Sequence, residues 1–228
     1  MDYLADILQP HKELVGNVAA IVTTGQMFSG VFICYDIYKQ KNTRGTSAMV
    51  FIGGLIIGVL NLKFGYILRD DKMIQVNLFG LALNILYMMV YFNYSQEKVQ
   101  TWAQLGAGGA FSAAVLAYAE MEDPKLVEHR LGLIITALMF YLIAAPLFSL
   151  GDIIRNKSTE GLPFPLILSG TVVTFMWLLY GIILRNQFIV LQNVVAFLLC
   201  SFQLSLFAIY PSKPKGKEKA KAKAKKTD

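Results

Sequence analysis

The stretch Asp152–Cys200, DIIRNKSTEGLPFPLILSGTVVTFMWLLYGIILRNQFIVLQNVVAFLLC, has an earlier copy in the same chain. An offset of 116 residues lays it, without a gap, on Asp36–Asn84, DIYKQKNTRGTSAMVFIGGLIIGVLNLKFGYILRDDKMIQVNLFGLALN. Asp36, Ile37, Lys41, Thr43, Gly45, Gly54, Leu62, Gly65, Ile67, Leu68, Arg69, Asn77 and Leu83 each meet an identical residue in the later copy. A long internal repeat sets the architecture before any single residue is weighed. Each copy leaves an apolar run at Asp, crosses a short basic loop, runs apolar again, pauses at Arg and turns apolar once more around a matched Asn, Asn77 or Asn193. Runs of about 20 apolar residues are what a helix needs to cross a ~30 Å hydrocarbon core. The repeated unit is a membrane hairpin, with Asn77 and Asn193 at equal depth in its second arm.

Composition agrees. Of 228 residues 55% are apolar, mean hydropathy is +0.51 and 16% are charged, against about 25% charged in soluble domains. The net charge of +6 does not indicate nucleic acid, because eight of the 21 Lys and Arg residues fall in the last sixteen positions. Cys34 and Cys200 lie in apolar runs and read as small buried hydrophobes rather than a disulfide framework. No nucleophile–base–acid arrangement, phosphate loop or metal-ligand spacing is visible, so neither an enzyme nor a cofactor is expected. Met1–Glu13 has no basic start or cleavage site, and no removable signal peptide is expected.

Hydropathy places spans at Leu14–Tyr35, Ser47–Leu68, Met73–Phe92, Thr101–Ala119, Leu131–Gly151, Leu162–Leu184 and Phe188–Ile209. The fourth belongs to neither copy, and its small-residue run Gly106–Ala110 suits a linker packed tightly against its neighbours. The expected fold is an all-α membrane protein of seven helices, two parallel three-helix repeats joined by a linker helix. Residues 1–93 form the first repeat, 94–128 the linker and its loops, 129–210 the second repeat, and 211–228 a Lys-rich tail too polar to fold. Loop charges are balanced, six basic residues on each face. The tail's eight lysines then make the C-terminus cytoplasmic and the N-terminus extracytoplasmic. Lys63, inside the second span, is read as snorkelling to the headgroups.

The motifs KSTEGLPFP (157–165), WLLYGIILRN (177–186) and IVLQN (189–193), within a three-one-three arrangement, resemble the SWEET (saliva-type) sugar facilitators of the PQ-loop superfamily. The resemblance runs from about Asn17 to Pro211. It implies bidirectional, facilitative movement of mono- or disaccharides by alternating access, and homo-oligomers in the bilayer. It also implies that Asn77 and Asn193 line the sugar pocket, and an amide matches hydroxyls as both donor and acceptor without a charge. Trp177 takes a pocket position where an aromatic stacks on a sugar ring, and Asn61 is its counterpart one repeat earlier. The family's extracytoplasmic gate pairs a tyrosine of one repeat with an aspartate of the other. Tyr180 and Asp70 keep one such pair, and Phe64 and Asn186 stand where the other would be. Of four hinge prolines at the cytoplasmic gate, Pro146 and Pro163 are present, while Gly30 and Ser47 replace the first two. Gln203 matches a residue beside that gate.

Two other readings stay open on the sequence. A proton-coupled PQ-loop amino-acid exporter of an organelle shares the architecture, and a seven-helix receptor shares the span count. The expected residence is the plasma membrane. The terminal Lys225-Lys226-Thr227-Asp228, which has the form of a dilysine retrieval signal, keeps a Golgi residence open.

Overall fold

A computed structural model describes residues 2–159 and 162–210, excepting the side chains of 145–149, 152 and 156. The Lys-rich tail lies outside the described residues. The helices are α1 (Asp2–Leu8), α2 (Lys12–Met27), α3 (Ser29–Gln40), α4 (Met49–Leu68), α5 (Asp71–Tyr94), α6 (Lys98–Met121), α7 (Val127–Asn156), α8 (Phe164–Ile183) and α9 (Gln187–Ile209), and a 3-10 turn, Gln9–His11, links α1 to α2. Asp2–Gln40, α4, α5, Val127–Ala144, α8 and α9 are each long and apolar enough to cross a membrane. The linker α6, with 24 residues, reaches about 36 Å at 1.5 Å per residue, and its Gln100, Gln104 and small residues dilute its hydropathy.

In the first unit α5 sits beside α4 and is flanked by α2 and α3; in the second, α9 lies between α8 and α7. The units meet through α2 on α8 and α4 on α7, two contacts that a pseudo-two-fold exchanges. The linker packs on α4. The tight turns repeat as well. Lys41 and Lys157, one repeat apart, end their helices in the left-handed region at φ 56° and 50°, and Arg69 and Arg185 do so at 52° and 54°. After each arginine the chain folds back, Asp70 N–H to the Gly65 carbonyl at 3.0 Å and Asn186 N–H to the Gly181 carbonyl at 3.1 Å. This is a helix-terminating motif that satisfies an orphan carbonyl. Asp70 and Asn186 then cap the next helix, accepting Met73 N–H at 3.0 Å and Phe188 and Ile189 N–H at 3.1 Å. A turn this short needs bare backbone opposite the new helix. A Cβ on Gly65 would lie 3.1 Å from Met73 Cβ, and one on Gly181 2.8 Å from Ile189 Cγ2.

Buried clusters divide by face. On the face carrying the N-terminus, Leu60 and Phe64 of α4, Met73 of α5, Val115 of α6, Leu131 and Ile135 of α7 and Phe188 of α9 form one core that joins both repeats. Towards the opposite face each repeat keeps its own core, Cys34, Ile37, Phe51, Ile52 and Tyr87 in the first and Leu150, Ile153 and Leu206 in the second. Among the described residues, one buried core joins the repeats at the end carrying the N-terminus, and the cores nearest the other end are separate clusters.

The first span departs from the expected Leu14–Tyr35. It steps at Phe28, between α2 and α3, whereas α7 runs unbroken through Pro146; the Pro146 side chain lies outside the described residues. Tyr87 accounts for the step: its ring occupies the space where Gly30 lacks a side chain, and its hydroxyl donates to the Met27 carbonyl at 3.1 Å. Tyr87 stands one repeat before Gln203, which is buried on α9. A Cβ on Gly30 would lie 2.4 Å from Tyr87 Cε2. Gly30→Ala is thus expected to destabilise the protein by about 1–3 kcal/mol through overpacking, and Gly30→Ala/Tyr87→Ala to recover part of that loss. Thermal unfolding of the detergent-purified variants measures this; strictly additive losses would mean that the glycine does not serve the tyrosine.

Candidate functional site

In the outermost layer a buried hydrogen bond joins the two repeats. Tyr180 Oη, on α8, donates to Asp70 Oδ2 at 2.7 Å. The pair is 1% and 4% exposed, so it sits within the packed end and not on a wet rim. The Tyr180 ring rests on α2 at Gly16, where a Cβ would lie 2.8 Å from the ring. Lys12 Nζ stands 3.9 Å from the same carboxylate oxygen. Phe64 is fully buried in the core shared by the repeats. Asn186, besides capping α9, donates from Nδ2 to Glu128 Oε1 at 3.0 Å. Around the layer run ion pairs of Lys72 with Glu13, Arg185 with Asp6, Arg130 with Glu122, and Lys63 with Glu120. Lys63 meets a carboxylate of the linker helix, where snorkelling alone was expected. Glu122, just beyond the end of α6, is held below the usual carboxylate range by the Tyr118 hydroxyl, the Asp123 N–H and Arg130.

One layer deeper, Trp177 and Tyr180 meet edge to face with ring centroids 5.6 Å apart. The indole N–H of Trp177 donates to Thr23 Oγ1 of α2 at 2.8 Å, so this side chain also crosses between the repeats. Asn61, its counterpart, is half-buried on α4. Asn77 and Asn193 share one local geometry. Each is half-buried, and each donates from Nδ2 to the carbonyl one turn back, Asn77 to Met73 and Asn193 to Ile189, both at 2.8 Å. Among the described residues neither amide makes a further hydrogen bond, so each keeps Oδ1 and one N–H for another partner.

Two turns further along α5, about 10.5 Å, Asn84 donates to the Gly80 carbonyl at 2.9 Å and lies against bare backbone at Gly54, where a Cβ would be 2.5 Å from Oδ1. The matching place in the second repeat holds Cys200 facing Gly170, and Gln26 of α2 reaches that glycine. A cavity of about 780 Å³ follows towards the C-terminal face, lined by Gln26, Ser29 and Phe32 of the first repeat and by Pro163, Leu166 and Ser169 of the second.

Residues 13–99 and 129–215 match the family described as sugar efflux transporter for intercellular exchange, each match covering one three-helix repeat. The chain belongs to the SWEET family. Among SWEET relatives it is 34% identical over 206 residues to sugar transporter SWEET1 of Drosophila pseudoobscura pseudoobscura, spanning 87% of this chain and 89% of that one. To bidirectional sugar transporter SWEET9 of Arabidopsis thaliana it is 29% identical over 211 residues, 89% and 80% of the two chains. A solved eukaryotic SWEET transporter structure at 3.7 Å resolution shares the fold, with a TM-score of 0.81 at 24% identity over 89% of this chain and 97% of that one.

Of the residues that the SWEET resemblance singles out, the structure brings Tyr180, Asp70 and Trp177 into one connected set. Asn186 turns to Glu128, and Phe64 packs apolar against its neighbours; with no hydroxyl at position 64 there is nothing to donate across the repeats. Gly30 and Ser47 divide: Gly30 receives Tyr87, whereas Ser47 starts α4 by accepting Met49 N–H at 3.2 Å. Thr23, Gln26, Asn84, Tyr87 and Glu128 join the site region without a signal in the repeat comparison, since none has an identical counterpart one repeat away.

Proposed function

We propose that this chain is a bidirectional, facilitative transporter of mono- and/or disaccharides that works by alternating access, and that the arrangement described is its state open towards the C-terminal face. The observation that carries the reading is the pair of half-buried amides, Asn77 and Asn193, each with an acceptor and a donor unused. Sugar hydroxyls need such mixed partners, and a desolvated hydroxyl without one costs a few kcal/mol. The division of the cores supports the gating: packing across the repeats and the Tyr180–Asp70 bond close one end, and the 780 Å³ cavity opens between the repeats at the other. In this reading Asn77, Asn193, Trp177 and Asn61 hold the sugar; Tyr180 and Asp70, with Phe64 and Asn186 alongside, close the extracytoplasmic end. Pro146, Pro163, Gly30, Ser47 and Gln203 belong to the hinge at the cytoplasmic end. The lysines of the tail support a cytosolic C-terminus, and the proposal includes homo-oligomers in the plasma membrane, with the dilysine-like end keeping the Golgi as the alternative residence.

Tracer uptake into proteoliposomes tests this. Labelled glucose is expected to equilibrate across the membrane in either direction at a rate unaffected by an imposed pH gradient. Gradient-driven accumulation of an amino acid would assign the chain to a proton-coupled exporter, and absence of any flux would leave a receptor.

A further inference from the structure

A second cavity, of about 380 Å³, lies on the face carrying the C-terminus, enclosed by the loop before α4, the end of α5 and the first turns of α6. This volume falls within the ~300–1,000 Å³ typical of small-molecule sites. It is set apart from the interface of the repeats, because α6 packs on α4 and none of the residues lining the first cavity lines this one. Its wall is made of hydroxyls and amides: Thr43 and Ser47 from the loop, Gln100 and Gln104 one turn apart on α6, and two charges, Arg44 and Glu97. The floor is fixed by Tyr91, whose hydroxyl donates to the Thr46 carbonyl at 3.2 Å, and by Ser95 and Thr101, whose buried hydroxyls share a bond of 3.1 Å.

Two features select the guest. The one cation and the one anion cancel, so the field favours a neutral molecule over an ion. The side-chain amides of Gln100 and Gln104 make no hydrogen bond among the described residues, and each offers two donors and an acceptor. Donors and acceptors interleaved without net charge are what a ring of neighbouring hydroxyls requires. We propose that this cavity binds a neutral polyhydroxylated ring, supplied either by a free sugar on this face or by the inositol ring of a lipid whose phosphate stays outside the cavity. Ser47 stands one repeat before Pro163, so an occupant touches the first turn of α4 at the hinge position and holds it in the present arrangement.

The test reads the cavity and not the pore. The full chain carries Cys34→Ala and Cys200→Ala to remove native thiols, Asn77→Ala and Asn193→Ala to remove the pore amides, and Gln96→Cys at the cavity rim as a maleimide reporter. It is placed in phosphatidylcholine nanodiscs, with glucose added in one arm and phosphatidylinositol in the other. Occupancy slows labelling by 1 + [L]/Kd, about tenfold at ten times Kd. Slowing by glucose assigns a free sugar, and slowing by phosphatidylinositol assigns a headgroup; either is expected to vanish on adding Gln100→Ala and Gln104→Ala. An unchanged rate in both arms overturns the proposal. So does equal slowing at Lys125→Cys, an exposed reporter in the polar loop beyond the far end of α6. Because no arm measures transport, failure of the pore reading leaves this outcome untouched. Should Gln96→Cys not purify as a single species, Thr43→Cys on the opposite wall serves instead.

Discussion

Asn77→Ala and Asn193→Ala are each expected to lower initial sugar uptake by about tenfold or more with little loss of folded protein. Leaving one buried polar group unmatched costs about 1–3 kcal/mol, which at 1.4 kcal/mol per decade is roughly 5- to 150-fold in affinity. The fold tolerates the change because the amides serve it little. Each donates to a carbonyl one turn back, Met73 or Ile189, and that carbonyl already receives the backbone N–H of the same helix turn. Both residues are half-buried, so the truncation opens no sealed cavity. Counterflow of labelled glucose by variants confirmed in the membrane provides the measurement. Near wild-type uptake by either variant would remove that asparagine from the sugar site, and an equal fall in folded protein would make it a structural residue.

Tyr180→Phe is expected to open the end that carries the N-terminus, the extracytoplasmic end in the proposed reading. The hydroxyl bond to Asp70, 2.7 Å and buried, joins the repeats, and hydrogen bonds to charged groups contribute about 1.5–3 kcal/mol. Its loss shifts the balance towards the outward-open state by roughly tenfold or more. Phenylalanine keeps the ring seated at Gly16, so only the bond is removed. Asp70→Ala is the less clean variant, because Asp70 also caps α5 through Met73 N–H, a contact whose loss costs about 1 kcal/mol by itself. A membrane-impermeant maleimide applied from the N-terminal side should modify Asn61→Cys, with Cys34 and Cys200 replaced by alanine, about tenfold faster when Tyr180→Phe is added. An unaltered rate would reduce the Tyr180–Asp70 bond to packing.

The sequence by itself determined the membrane fold and the pairing of the repeats. Hydropathy and helix length are set by the bilayer and act within one segment, so Asp36–Asn84 and Asp152–Cys200 declare the same hairpin wherever they are packed. Equal depth for Asn77 and Asn193 follows from the offset alone. The two arginine turns were legible for the same reason, since Arg69-Asp70 and Arg185-Asn186 end one helix and cap the next with contacts confined to a few residues. Partners across helices were not legible. The pairing of Tyr180 with Asp70 came from a family resemblance, and its burial over Gly16 depends on how closely α8 approaches α2. Trp177 with Thr23, Lys63 with Glu120, Asn186 with Glu128 and Tyr87 over Gly30 join residues 154, 57, 58 and 57 positions apart. Only the tertiary structure decided them, because lateral packing between helices rests on volumes and crossing geometry that no periodicity within a single helix encodes.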